Sequence, residues 1–179
     1  LRIPASLDGC AEVGLDVCEW LKMGIVDTLV GQKLSVPELH DPGIDFRPLV
    51  SAAEDTGCRV YAALQSHLDS DRLGDASIEM IRAAACNCWS QGVDGLYLAH
   101  WFGRWPYQAD FYEILRELPY PEVMAPRDKI YSVPTETGRY PEPTVEPGLS
   151  MDLPAALEKG EPIHIPVAVS DDLPRWNKV

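Results

Sequence analysis

The chain has 179 residues and a mass of 19.8 kDa, enough for one domain and part of a second. Apolar residues at 46% and charged residues at 24% are ordinary globular values and exclude wholesale disorder. Lys and Arg total 15 against 28 Asp and Glu, so the net charge of −13 repels phosphate backbones and anionic lipid, and neither nucleic acid nor a membrane is an expected partner.

The opening Leu1-Arg2-Ile3-Pro4 shows neither an initiator Met nor a signal-peptide apolar core, so the chain is expected to begin within a longer unit. Cys10 to Met23 reads as a helix stopped by Gly24 and weakened in its middle by Gly14. Ile25 to Val30 is rich in β-branched residues and reads as a strand. Ile44 to Thr56 places Phe46, Leu49, Val50 and Ala53 on one helical stripe and ends at Gly57. Arg59 to Leu64 is the second strand. Ala76 to Gln91 is the strongest helix, with Ile78, Ile81 and Ala85 on one face, Ser77 or Asp75 as cap, and Gly92 as stop. Gly95 to His100 is the third strand, and Phe111 to Leu118 is a shorter helix halted before Pro119.

The three strands start roughly 35 residues apart, room for a strand, a helix and two loops. Hairpins return within a few residues, so the spacing predicts parallel strands. Eleven of the 16 prolines follow Leu118, and helical periodicity ends there. Tyr131 to Leu149 reads as an extended Pro-rich connector. In Pro162 to Val169, the residues Ile163, Ile165, Val167 and Val169 alternate strictly, which predicts a half-buried strand of an all-β module.

Five cysteines leave at least one thiol unpaired within the chain and lean toward a reducing compartment. Their apolar or helical contexts suit small buried hydrophobes. A metal held by Cys86, Cys88 and a histidine is disfavoured, because one intervening residue sets the two thiols on opposite sides of a helix. Phosphate loops, Gly-x-Ser-x-Gly elbows and His-Glu-x-x-His pairs are all missing, so nucleotide enzymes, α/β serine hydrolases and zincins are disfavoured, and no cofactor or metal is implied.

The segments Gly14 to Asp27, Thr56 to Tyr61 and Gly92 to Trp101 resemble the C-terminal half of bacterial glycosyl-hydrolase-like (β/α)8 barrel proteins, as does Glu122 to Tyr131 with its Arg127-Asp128-Lys129. The resemblance covers residues 1–131 closely and the remainder loosely. It implies an α/β fold, a partial TIM barrel of about three βα units over 1–131. The Pro-rich connector would occupy 132–154 and the start of a β-sandwich-like module 155–179. The three strands would be the sixth to eighth of a barrel, of which the chain is either a fragment of a longer gene product or a part that self-association completes.

In a barrel the functional groups follow the carboxyl ends of the strands. That selects Gly31-Gln32-Lys33, Gln65-Ser66-His67 and His100 to Trp105. Glycoside hydrolysis needs two carboxyl groups, and the resemblance implies an acid where Gln65 stands. An amide cannot supply that chemistry, although it can bond a sugar hydroxyl. The loop acids Asp69, Asp71 and Asp110 are substitutes, with solvated carboxylates the plainer reading. Trp101, Trp105, Tyr107, Arg104 and His100 mix apolar rings with polar groups, which suits a carbohydrate subsite or a cap on the core. The expected site is therefore His100, His67 and Asp110 for chemistry, with Gln65, Trp101, Arg104, Trp105 and Lys33 for substrate. The expected function is binding or hydrolysis of carbohydrate. The alternatives are a non-catalytic or assembly-dependent fragment, or a hydrolase of another polymer or ester with His100 or His67 as base. Asp27 within its strand and Asp94 at a strand's amino end read as structural.

Overall fold

A computed structural model describes residues 1–33, 42–65, 76–99, 116–133 and 158–172. It is a mixed α/β unit built on one sheet of four parallel strands in the order β1-β2-β3-β4. The elements run β1 (Arg2–Pro4), α1 (Leu7–Glu12), α2 (Val17–Met23), β2 (Thr28–Gln32), α3 (Arg47–Ala53), β3 (Arg59–Gln65), α4 (Ile78–Trp89), β4 (Gly95–Ala99) and α5 (Pro121–Met124). Among the described residues no helix is long and apolar enough to cross a membrane.

The three expected strands are present and parallel, with one shift and one addition. β2 begins at Thr28 rather than Ile25, because Gly24 ends α2 in the left-handed conformation (φ 64°) and leaves Ile25 exposed. Asp27 therefore precedes the strand, and its carbonyl accepts the Arg59 N–H at 3.0 Å. β1 is the addition. Three residues ending in Pro are too short for a sequence pattern, yet Leu1 donates its amino group to the Thr28 carbonyl at 2.9 Å and Arg2 pairs with Val30.

The expected helix from Cys10 to Met23 is two helices. Gly14 (φ 79°) turns the chain, the Leu15 N–H closes on the Cys10 carbonyl, and Asp16 caps the second helix by accepting the Glu19 N–H at 3.0 Å. α3 starts at Arg47, later than expected, since Pro48 lacks the N–H that any position past the first turn must donate. α4 begins after Ser77, whose hydroxyl accepts the Met80 N–H. Of the expected helix Phe111 to Leu118, residues 111–115 lie outside the described residues, and 116–117 are helical.

Among the described residues, α1 to α4 pack on one face of the sheet. Ile3, Leu29 and Val60 meet Cys10, Val17, Leu21, Leu49 and Ala53 of α1, α2 and α3. Ala62 packs with Phe46 and Cys88, and Leu64 with Ile81, Ala84 and Ala85 of α4. Gly31 lies on this face, where an added Cβ would stand 3.0 Å from the Phe46 ring and 3.2 Å from Leu49 Cδ1. Phe46 is fully buried and has nowhere to retreat. Gly31→Ala is expected to cost about 1–3 kcal/mol by overpacking, read as a lower urea midpoint at unchanged slope.

Cys10, Cys58, Cys86 and Cys88 are buried, as small hydrophobes should be, whereas Cys18 is exposed on α2 and departs from that expectation. Cys86 and Cys88 sit in separate parts of the core. Burial pushes the Cys10 thiol up to about 11 and the Cys88 thiol up to about 12.

The stretch 161–170 does not form the expected strand. It runs without helix, turn or ladder partner among the described residues, and Ile163, Ile165, Val167 and Val169 are exposed. Alternation supplies the pattern of a strand but not the neighbour that a ladder requires. Its end is tied to the body at three points: Asn87 Nδ2 donates to the Ala168 carbonyl (2.9 Å), Tyr131 Oη meets Ser170 Oγ (3.2 Å), and Lys129 Nζ pairs with Asp171 (2.9 Å).

Candidate functional site

Side chains alternate across a parallel sheet, so the residues opposite the helix-packed set share the other face. That face carries Val30, Tyr61 and Gly95 in one row, and Pro4, Ala63 and Tyr97 at the next level, with Gln32 beside Pro4. Gln65 and Ala99 follow at the carboxyl ends. Val30, Tyr61, Ala63 and Ala99 pack together there. Among the described residues no helix packs on this face.

Two tyrosines border a floor of small residues. The Tyr61 ring lies over Gly95, where an added Cβ would stand 3.0 Å from the ring carbons. Tyr97 is 39% exposed. Carrying the β2–β3 register one residue further sets Gln32 beside Ala63, so Gln32 and Tyr97 flank Ala63 at about 10 Å, two strand spacings.

The polar groups sit at the carboxyl ends. Gln32, Lys33 and Gln65 are 1%, 2% and 0% exposed. A buried ammonium such as that of Lys33 persists only when paired. The Gln32 Oε1 is buried and accepts no hydrogen bond among the described residues. Such a group costs about 1–3 kcal/mol in desolvation. The strand positions of this face carry no carboxylate among the described residues.

Of the expected site residues, the structure brings Gln65 and Lys33 to the carboxyl ends of adjacent strands. His67, His100, Trp101, Arg104, Trp105 and Asp110 lie outside the described residues, as do Asp69, Asp71 and Tyr107. Sequence reasoning passed over Tyr61 and Tyr97, although their parity with Gln65 and Ala99 was available from the strand assignments. It named Gln32 only as part of a loop. The burial that distinguishes this amide has no sequence signal.

Asp94 has the structural role expected of it. Its Oδ2 accepts the Val60 N–H at 2.7 Å while its own N–H donates to the Val60 carbonyl at 2.8 Å, which starts β4 in register. A concavity of about 600 Å³ lies at this amino end, lined by Arg47, Asp55, Arg59 and Asp94 among others. It opens to solvent, and Arg47 is already held by Asp45 at 2.7 and 2.9 Å, so the carboxyl ends remain the better candidate.

No protein-family model matches the chain, and no curated protein does. The chemistry of the residues themselves therefore has to carry the functional argument.

Behind the sheet, α4 is clamped by a buried ion pair. Arg82 Nε and Nη2 donate to Glu117 Oε2 and Oε1 at 2.6 and 3.0 Å, and Arg127 adds a longer contact at 3.8 Å. The Arg82 hydrogen bonds hold the Glu117 carboxyl below its ordinary value, and the positive charges of Arg82 and Arg127 act in the same direction. Trp89 Nε1 also donates to the Leu118 carbonyl at 2.8 Å. These bonds fix Glu117 and Leu118 against α4.

Proposed function

We propose that the chain is part of a glycosyl-hydrolase-like barrel and binds carbohydrate over the face of its sheet opposite α1 to α4, near the carboxyl ends of β2, β3 and β4. Sequential parallel strands with α1 to α4 on one side suit a segment of a singly wound barrel, whose other face is the interior. The observation that carries the binding reading is the Gln32 amide, buried with an acceptor that no described residue satisfies. A neutral hydroxyl-bearing ligand supplies the missing donor, and Tyr97 offers a ring for a sugar's apolar face. Trp101, Arg104 and Trp105 follow β4 directly in sequence and would extend the subsite.

The amides Gln32 and Gln65 favour binding without hydrolysis, because proton donation and nucleophilic attack on an acetal both need carboxyl groups. This chain is then a recognition surface, or a half-site that an assembled barrel completes. Hydrolysis through Asp110, or ester cleavage with His67 or His100 as base, is the competing reading, and it requires turnover that those substitutions remove.

Titration with a broad oligosaccharide panel is expected to change the tryptophan fluorescence, and Trp101→Ala to remove the response. Silence across the panel, with the protein folded, would refute the carbohydrate reading.

A further inference from the structure

We infer that Pro162–Val169 is a one-sided docking strand through which a second copy of this chain pairs antiparallel with the first. In an extended strand each residue turns its N–H and C=O toward one edge, and successive residues toward opposite edges. The two prolines, Pro162 and Pro166, fall on the same parity. That even edge lacks two donors, and its Ala168 carbonyl already accepts from Asn87 at 2.9 Å. The odd edge, Ile163, Ile165, Val167 and Val169, keeps every N–H and C=O, and none of these is bonded among the described residues. The even edge is thus engaged by the body at Ala168, while the odd edge carries no hydrogen bond among the described residues.

The segment is also built to meet its own copy. Pairing Ile163 with Val169 and Ile165 with Val167 across a two-fold axis uses all four odd N–H groups of each strand. It leaves both prolines at positions where no ladder bond is required. The four β-branched side chains, each 37–43% exposed, then line one face of the ribbon beside their counterparts. On a chain of net charge −13, Pro162–Val169 contains no Asp, Glu, Lys or Arg, so two copies meet there without opposing like charges within the paired stretch. At the flanks Glu161 faces Asp171, and Lys129, 2.9 Å from Asp171, offsets that repulsion. The three ties at Ala168, Ser170 and Asp171 hold the strand ready, which lowers the ordering cost of pairing.

Sedimentation velocity of the full chain over a concentration series tests this, with circular dichroism to confirm folding. Wild type is expected to shift from monomer to dimer as concentration rises, and more readily as salt screens the net charge. Ile165→Pro removes a central odd-edge donor and is expected to remain monomeric. His164→Pro removes only an even-edge donor and is expected to dimerise as wild type does. A wild type that stays monomeric throughout overturns the inference, as does a dimer unaffected by Ile165→Pro or equally lost in both variants.

Discussion

Glu117→Ala is expected to destabilise the fold by about 3–5 kcal/mol, because it leaves the Arg82 guanidinium buried against α4 with its bidentate partner removed. Arg82→Met should cost less, because Arg127 at 3.8 Å still faces the Glu117 carboxylate. The double change Arg82→Met with Glu117→Leu should recover most of the loss, since replacing a whole buried pair by apolar groups is close to neutral. Urea denaturation of the three variants and the wild type gives this cycle directly. The pH dependence has a definite sign. Glu117 titrates below its ordinary 4.5 in the folded chain, so its stabilisation is fully present above that value and is lost as pH falls through the lower folded value. The wild type should therefore lose stability on that acid limb, and Glu117→Leu paired with Arg82→Met should lose less.

Gln32→Leu is expected to move stability and binding in opposite directions. A leucine of similar size removes a buried acceptor that no described residue satisfies, so the unfolding midpoint should rise by the equivalent of about 1–3 kcal/mol. Sugar binding should fall at least tenfold, since the group offered to a hydroxyl is gone. Few substitutions of a fully buried polar residue are stabilising, which makes the sign of the change informative. A lower midpoint with unchanged binding would show that Gln32 serves the fold and would remove the main support for the proposed site. Gln65→Leu provides a comparison at the neighbouring strand end.

The parallel sheet was legible because the apolar stretches of β2, β3 and β4 recur at nearly constant spacing with helical segments between them, and because Gly24, Gly57 and Gly92 precede them. Boundaries were less legible where two local signals compete. At Ile25 the β-branched run begins immediately after a glycine cap, and the cap keeps the first residues out of the ladder. At Gly14 the apolar stripe continues through a residue whose backbone turns away from a helix. β1 has no pattern of its own, since three residues become a strand only through the edge that β2 offers. Ile163 to Val169 presents the reverse case, a clear pattern with no ladder neighbour among the described residues. For the candidate site, the barrel rule led to Gln65 and Lys33 through position alone. Tyr61 and Tyr97 needed the register between strands, and the unsatisfied Gln32 amide needed three-dimensional packing.

The strand order β1-β2-β3-β4 also has a consequence for how the chain reaches this state. Each strand docks on the edge left by the one before it, so closure spans only a few dozen residues at every step. A chain emerging from the ribosome can add its units in the order of synthesis, with no early segment waiting for a distant late one. Accretion of this kind leaves the newest edge as the sticky one at each stage, and β4 inherits that role once the other three strands are in place.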